Sequence, residues 1–340
     1  FHFLPPYRAQ SKIQLHELLG LALNEVLDNA SVELIKAVVK LRSVKDQYEI
    51  EEIEKAVDTA YLMHTSVMKS AMPGVTEQEI YGKMEGIALS HGGPVSFPVI
   101  LSVNGQILHN HHHGNTLQKG QLLVADAGAE TGMHYCSDIT RTSPVGGKFT
   151  PKQKDIYEAV VDANIEVIKN CKPGVLYKDM HLLSAKIIGE RLKSVGLMKG
   201  NIDDAVAAGA HALFYPHGLG HMMGLDVHDM ENLGENYVGY DDSIKRSDQF
   251  GLAFLRMGRK LEKGFVMTVE PGTYFIPALI DIWKKEKKHS DFINYDKVDE
   301  YRDFGGIRIE DDILITDDGC RVLGKPIPKT VEEIETLMNS

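Results

Sequence analysis

Four carboxylates in this sequence stand where a carboxylate is costly. Asp126 closes the apolar run Gln121-Leu122-Leu123-Val124-Ala125, and Asp138 lies inside Cys136-Ser137-Asp138-Ile139-Thr140-Arg141-Thr142. Glu270 closes Phe265-Val266-Met267-Thr268-Val269, and Glu310 interrupts Ile307-Arg308-Ile309-Glu310-Asp311-Asp312-Ile313. Such runs read as buried strands, and an acid there loses its hydration unless a partner replaces it. Taken singly, each acid reads as a salt bridge or a turn carboxylate. Brought together they would repel strongly, and cations are the simplest compensation. Three histidines, His217, His221 and His228, add nitrogen donors in the Gly-rich stretch Pro216–Asp229, which cannot be a regular helix. An oxygen-rich set with one His is unlike a Cys/His structural zinc site; it suits Mn²⁺, Co²⁺ or Fe²⁺ and tolerates Zn²⁺. Five such ligands, several bidentate or bridging, suffice for two ions about 3.5–4 Å apart, a pair that makes hydroxide from water at neutral pH and polarises a carbonyl. Hydrolysis is the chemistry that follows.

The elements that must carry these residues repeat. Pro73-Gly74-Val75 opens a helical pattern over Glu77–Ser90, and Pro173-Gly174-Val175 opens another over Tyr177–Val195. A long amphipathic pattern precedes each, Asp46–Met72 and Pro151–Lys172. Lys119-Gly120 leads to Asp126 and Lys263-Gly264 leads to Glu270, in both cases six residues beyond the Gly, with another Gly two residues further on. Two matches in the same order predict a duplicated α/β half, 41–150 and 151–320, each bringing one acid pair to a pseudo-twofold axis. Residues 1–40 read as the tail of an upstream domain plus a linker: a Pro-Pro turn, an apolar helix over Ile13–Leu27 and an apolar run Val32–Leu41. Residues 41–340 then form the catalytic domain. The charged stretch 277–303, with Lys284-Lys285-Glu286-Lys287-Lys288, reads as a solvated loop between two strands.

The bulk numbers exclude other classes. Lys and Arg total 37 against 48 Asp and Glu, a net charge of −11 that argues against nucleic acid or an anionic membrane as partner. No apolar run approaches the roughly 18 residues of a membrane span. Three scattered cysteines, Cys136, Cys171 and Cys320, form no disulfide framework and fit a reducing, cytoplasmic compartment. The opening Phe1-His2-Phe3-Leu4-Pro5-Pro6 has neither an initiator Met nor a signal-peptide pattern, and reads as a start inside a larger protein.

Five motifs resemble those of the pita-bread metallopeptidases, the family of methionine aminopeptidase, aminopeptidase P and prolidase, with creatinase as a metal-free relative. They are Asp126-Ala127-Gly128, Ser137-Asp138-Ile139-Thr140-Arg141-Thr142, His217-Gly218-Leu219-Gly220-His221, Val269-Glu270-Pro271-Gly272 and Arg308-Ile309-Glu310-Asp311-Asp312. The likeness runs through residues 41–338. It implies an α/β (α+β) pita-bread fold, with two pseudo-symmetric halves around a dinuclear metal site. By the same resemblance Asp126, Asp138, His221, Glu270 and Glu310 are the ligands of two divalent ions, manganese foremost. Asp138 and Glu310 would bridge; Asp126 would serve one ion, His221 and Glu270 the other. His109 and His217 would stabilise the oxyanion, His228 would orient the proline side of the substrate, Glu270 would shuttle the proton, and Arg308 would orient the ligands. The run His109-Asn110-His111-His112-His113 is richer in histidine than the family pattern and reads as a variable loop.

Within that family the insertion after Glu270-Pro271-Gly272 is unlike the compact methionine aminopeptidases, and Leu4-Pro5-Pro6-Tyr7-Arg8 looks like the end of the extra domain of the proline-directed branch. The segment Phe250–Arg256 and the Tyr274-Phe275-Ile276-Pro277 loop look most like prolidase. The expected activity is hydrolysis of the bond between an N-terminal residue and a following proline by a metal-bridged hydroxide. Prolidase, the Xaa-Pro dipeptidase, stands narrowly ahead of aminopeptidase P, which accepts longer peptides. Arg256 matches the arginine that meets the dipeptide's carboxylate, a task suited to a planar guanidinium; its other reading is a surface residue. A non-catalytic peptide-binding domain or a creatinase-like amidohydrolase would lack ligands, and none is missing here. The family pattern implies a homodimer for the full-length protein, with peptides bearing proline in second place as its partners.

Overall fold

In a computed structural model that describes residues 1–340, the helices are α1 (Ala9–Leu19), α2 (Val32–Ser43), α3 (Gln47–Ser70), α4 (Glu77–Ser90), α5 (Pro151–Asn170), α6 (Tyr177–Ser194), α7 (Ile202–Ala208), α8 (Glu235–Val238), α9 (Pro277–Lys285), α10 (Tyr295–Asp299) and α11 (Val331–Met338). The strands are β1 (Ile100–Ser102), β2 (Leu122–Ala127), β3 (Ile139–Pro144), β4 (Val266–Val269), β5 (Gly272–Tyr274), β6 (Gly306–Arg308), β7 (Asp311–Ile315) and β8 (Cys320–Val322). Local chemistry starts the long helices where the sequence pattern placed them. Asp46 with Glu49, Thr76 with Glu79 and Thr150 with Gln153 form capping boxes at α3, α4 and α5, each satisfying donors that a helix start leaves open.

The repeat is visible in the hydrogen bonds. Gly74 N–H donates to Leu117 O and Leu117 N–H to Val75 O; one half later Gly174 donates to Leu261 and Leu261 to Val175. In the first half β1, β2 and β3 form an antiparallel sheet, with Asp126 opposite Thr140. In the second, β7 lies antiparallel between β4 and β8, with Val269 opposite Asp311. Met63, Val67, Ile80 and Met84 of α3 and α4 pack on Leu101, Leu123 and Ala125. Val167, Tyr177 and Met180 of α5 and α6 belong to the cluster that buries Phe265, Met267, Val269 and Ile313. Burial on this scale, at roughly 25 cal/mol per Å² of apolar surface, is what holds the strand ends in place.

Five expectations change. The stretch 307–313 is not one strand. β6 pairs with β5 and β7 with β4, and between them Ile309 N–H bonds Pro271 O while Glu310 N–H crosses to Thr140 O. Backbone partners on two sides break the strand at Glu310. Asp138 likewise precedes β3 rather than lying within it. The predicted helix Ile13–Leu27 is Ala9–Leu19, stopped by left-handed Gly20, and none of its residues is buried. The charged stretch 277–303 is not a solvated loop: α9, α10 and the turns beside them sink Ile280, Trp283, Ile293, Val298 and Tyr301 into the core, and Tyr301 stacks on Phe275. Its lysines occupy the outer face. The boundary at residue 40 falls inside α2, whose Ile35 and Val39 join the second-half core.

The halves are stitched by Arg141, a fully buried side chain on β3. It donates to Glu310 O at 2.6 Å, Asp311 Oδ1 at 2.6 Å, Ile327 O at 3.1 Å and Pro328 O at 2.9 Å. Lys329 reaches the other Asp311 oxygen at 2.6 Å. Removing one member of such a buried network leaves an uncompensated charge. Arg141→Ala is expected to cost about 3–5 kcal/mol, the scale of breaking a buried pair, measured as a lower midpoint in urea unfolding with an unchanged slope; a loss below ~1 kcal/mol would contradict a stitching role.

Candidate metal centre

Each ligand candidate arrives on a strand end or a sharp turn. Asp126 lies near the end of β2, and Gly128 two residues later lets the chain pass against Ser137; a Cβ at Gly128 would stand 1.7 Å from Ser137 O. That close approach sets Asp126 and Asp138 side by side. Gly220 does the same for His221, since a Cβ there would stand 2.1 Å from Thr268 O. His221 N–H then donates to Thr268 Oγ1 at 3.1 Å and Thr268 N–H to His221 O at 3.0 Å, fixing it beside β4. Glu270 follows β4 directly, and Glu310 fills the break between β6 and β7.

The structure brings Asp138, His221 and Glu310 together, with one donor atom from each lying within 4.8 Å of the others. His221 Nε2 is 3.4 Å from Asp138 Oδ2 and 3.7 Å from Glu270 Oε1. Its Nδ1 faces Met222 O at 3.0 Å, so the Nδ1–H tautomer leaves the Nε2 lone pair aimed at the acids. Asp126 is held from the other side, its Oδ2 accepting from Arg308 Nη2 at 2.6 Å. One oxygen of each of Asp126, Asp138 and Glu310 is buried with no hydrogen-bond partner. Buried orphan acceptors are rare in folded proteins, and three together need a common partner. Burial and then the neighbouring Glu310 and Asp126 raise the Asp138 carboxyl; burial and then Glu270 and Asp126 raise Glu310. Burial lifts Glu270 to about 8. Divalent cations between these groups would give the orphan oxygens a partner and turn repulsion into attraction, so the donor set fits such ions.

The surrounding shell, Asp312 apart, is neutral or cationic and holds the acids by their outer edges. Thr140 Oγ1 donates to Glu310 Oε2 at 2.7 Å, and Asp312 Oδ2 accepts from Asp138 N–H at 3.0 Å. Arg308, besides Asp126, donates to Thr140 Oγ1 at 3.1 Å and to the Tyr274 hydroxyl at 2.9 Å. Thr140 and Asp312 appear in the sequence motifs, yet nothing in their spacing told of these bonds; Tyr274 was legible only as part of a loop.

The substrate-side candidates gather on one cavity of about 900 Å³, lined by His109, His217, His228, Arg256, Arg308 and all five ligand candidates. Phe97, Leu108, Phe254 and Tyr7 supply apolar surface. His217 lies with Nδ1 2.7 Å from Gly218 O, Nε2 2.9 Å from the Tyr274 hydroxyl, and Nδ1 3.7 Å from Glu270 Oε2. Both ring nitrogens are therefore engaged, and burial lowers its pKa to about 3, so it is a neutral imidazole. An oxyanion-donor role for His217 requires it to release one of those partners. His109 is exposed at the rim, while His113 is a packing residue that stacks on Tyr81 at 4.4 Å. His228 stands edge-on to His221, ring centres 4.3 Å apart, with Nδ1 3.4 Å from Glu231. Arg256 is on the cavity wall and is not a plain surface residue: its Nη1 meets both Glu231 and Glu235, the latter at 2.9 Å. Glu231 and Glu235 were not singled out from sequence, where they look like ordinary loop acids.

The chain is similar to known proteins along most of its length. The model of metallopeptidase family M24 matches residues 51–317. A human protein named Xaa-Pro dipeptidase is 39% identical over 311 residues, 88% of this chain and 61% of its own length. A Fusarium vanettenii protein named probable Xaa-Pro aminopeptidase is 38% identical over 310 residues, 90% of this chain and 65% of its own. The chain thus spans less than two thirds of these relatives. The solved structure of Escherichia coli aminopeptidase P in complex with substrate superposes with a TM-score of 0.79 at 30% identity, covering 99% of this chain and 70% of that one, which identifies the architecture as the pita-bread fold.

Crowding of the acids yields a test that needs no substrate. In metal-stripped protein, Asp138→Asn is expected to stabilise the fold by on the order of 1 kcal/mol, read as a higher thermal midpoint, because the amide removes a carboxyl whose charged form burial and its acidic neighbours disfavour. The same substitution is expected to abolish the rise in midpoint that added Mn²⁺ gives the parent. Calorimetry with and without Mn²⁺ checks both; a destabilised apo variant that still responds to Mn²⁺ would refute the assignment.

Proposed function

The chain belongs to metallopeptidase family M24, and from that premise we propose that it hydrolyses the bond between an N-terminal residue and a following proline, using two divalent ions, manganese foremost. The observation that carries this reading is the cluster of Asp138, His221 and Glu310 in a peptide-sized cavity that Asp126 also lines, with an orphaned oxygen on each of the three acids. When bound, the ions activate water and polarise the scissile carbonyl.

The chain's own residues do the rest. Asp126, Asp138, His221, Glu270 and Glu310 are the ligands. Arg308 holds Asp126 and, through Tyr274, keeps His217 in one orientation. Glu270 is the proton carrier: beside the ions its carboxylate would take a proton from the attacking water and return it to the proline nitrogen. His228 and His109 flank the place of the substrate and can donate to it. The dipeptidase reading is supported by the human relative and by Arg256 on the cavity wall. The aminopeptidase P reading keeps one specific observation in its favour: the Arg256 guanidinium is already bonded to two carboxylates. We further assign the full-length protein to a cytoplasmic homodimer acting on peptides. No helix is long and apolar enough to cross a membrane.

Turnover of Gly-Pro, Ala-Pro and an Ala-Pro-X tripeptide by metal-stripped protein, with and without Mn²⁺, tests the activity. Mn²⁺-dependent release of proline from Ala-Pro is expected. No cleavage of any of the three with Mn²⁺ bound in stoichiometric amount would overturn the reading. Glu270→Gln should lower kcat by about 10²–10⁴, the range for losing a positioned acid–base group.

A further inference from the structure

One wall of the cavity carries a charge pattern that hydrolysis does not call for. Glu231, three residues beyond His228, and Glu235, at the start of α8, both direct a carboxylate at Nη1 of Arg256. Arg246 pairs with the second oxygen of Glu235. Two guanidinium groups thus face two carboxyl groups; burial lifts that of Glu231 to about 7, so above neutral pH the wall sums to zero where a lone arginine would leave it positive. Glu231 is the inner member of the group. It lines the cavity beside His228 and Arg256, its side chain is only 14% exposed, and its Oε1 is buried without a partner. A carboxylate so poorly hydrated is weakly screened, and its field reaches an anion brought to the same guanidinium.

We propose that Glu231 is a specificity-determining residue that weighs against substrates ending in a free carboxylate at the proline and favours peptides that continue beyond it. The proposal rests on the Xaa-Pro reading above and refines its substrate class. A dipeptide's carboxylate that approaches Arg256 must either share the guanidinium with Glu231, at close like-charge range, or displace it from Nη1. A peptide that continues past proline, or ends in an amide, brings no charge to this wall and meets neither cost. Glu235 contributes the same sign from farther out and is itself offset by Arg246. Specificity obtained by placing a like charge against the unwanted partner is a general device.

Ala-Pro and Ala-Pro-amide differ only in that terminal charge, so the ratio of their kcat/KM values reads the wall directly. In the Mn²⁺-loaded protein, Glu231→Gln is expected to raise the ratio of acid to amide by roughly tenfold, the scale of relieving one like-charge contact, with the gain in KM rather than kcat. Glu235→Gln is expected to move the ratio the same way by less, and it keeps the test standing if Glu231→Gln fails to fold. An unchanged ratio, or one that falls because Glu231 merely props Arg256 in place, overturns the proposal. Absence of turnover of both substrates by the parent protein, with Mn²⁺ verifiably bound, overturns the Xaa-Pro reading itself and this proposal with it.

Discussion

Asp126, Asp138, Glu270 and Glu310 crowd one end of the cavity, and nearly every feature around them answers that repulsion. A carboxylate in such surroundings is stabilised by a cation, by hydrogen-bond donors or by taking up a proton. The protein supplies donors only to the outer oxygens: Arg308 to Asp126 and Thr140 to Glu310. The inner oxygens receive none. A core evolved for stability alone would not leave them bare, because replacing them with apolar groups of similar size would stabilise the fold. The halves therefore meet over a deficit of positive charge, and the deficit is the functional feature.

A second ring of charge makes that deficit tolerable without filling it. Asp311, adjacent to Glu310, points the other way and is fully compensated by Arg141 and Lys329. Asp312 takes the backbone N–H of Asp138 rather than a cation. Three consecutive acids thus have three different fates, set by the break between β6 and β7. Arg141 ties the same break to the first half through Glu310 O. The cationic side chains that could have neutralised the ligands are spent one layer further out, where they fix geometry.

Much of this was legible in the sequence because duplication leaves a signal that a single site does not. The paired Lys-Gly openings placed Asp126 and Glu270 at strand ends, and α4 begins and ends at the predicted residues, Glu77 and Ser90. What stayed hidden depends on contacts between distant segments. An apolar stretch such as Ile307–Ile313 reads as one strand by periodicity; only partners at Pro271 and Thr140 divide it. The charged run after Tyr274 looked like a loop since its lysines dominate its composition, yet Trp283, Val298 and Tyr301 are enough to dock it. Glu231 and Glu235 carry no motif at all, and their meaning appears only with Arg256 between them.

The cavity is consequently polarised along its length. At its floor the chain crowds acids whose charged form is disfavoured without cations; at its far wall it presents positive charge already matched by carboxylates. Under the proposed activity a peptide's amino end would lie at the floor, whereas its far end would meet a wall with little net attraction. In that reading, orientation of the substrate would come from the amino-terminal side, and length selection from how completely Arg256 is masked. These are separate levers. The metal-binding floor is fixed by buried strands and glycine-enabled close approaches, while the wall is built from a 3₁₀ turn and the four-residue helix α8 on the surface, elements that can change without disturbing the core. A chain of this fold can thus retune which peptides it accepts while leaving its chemistry intact.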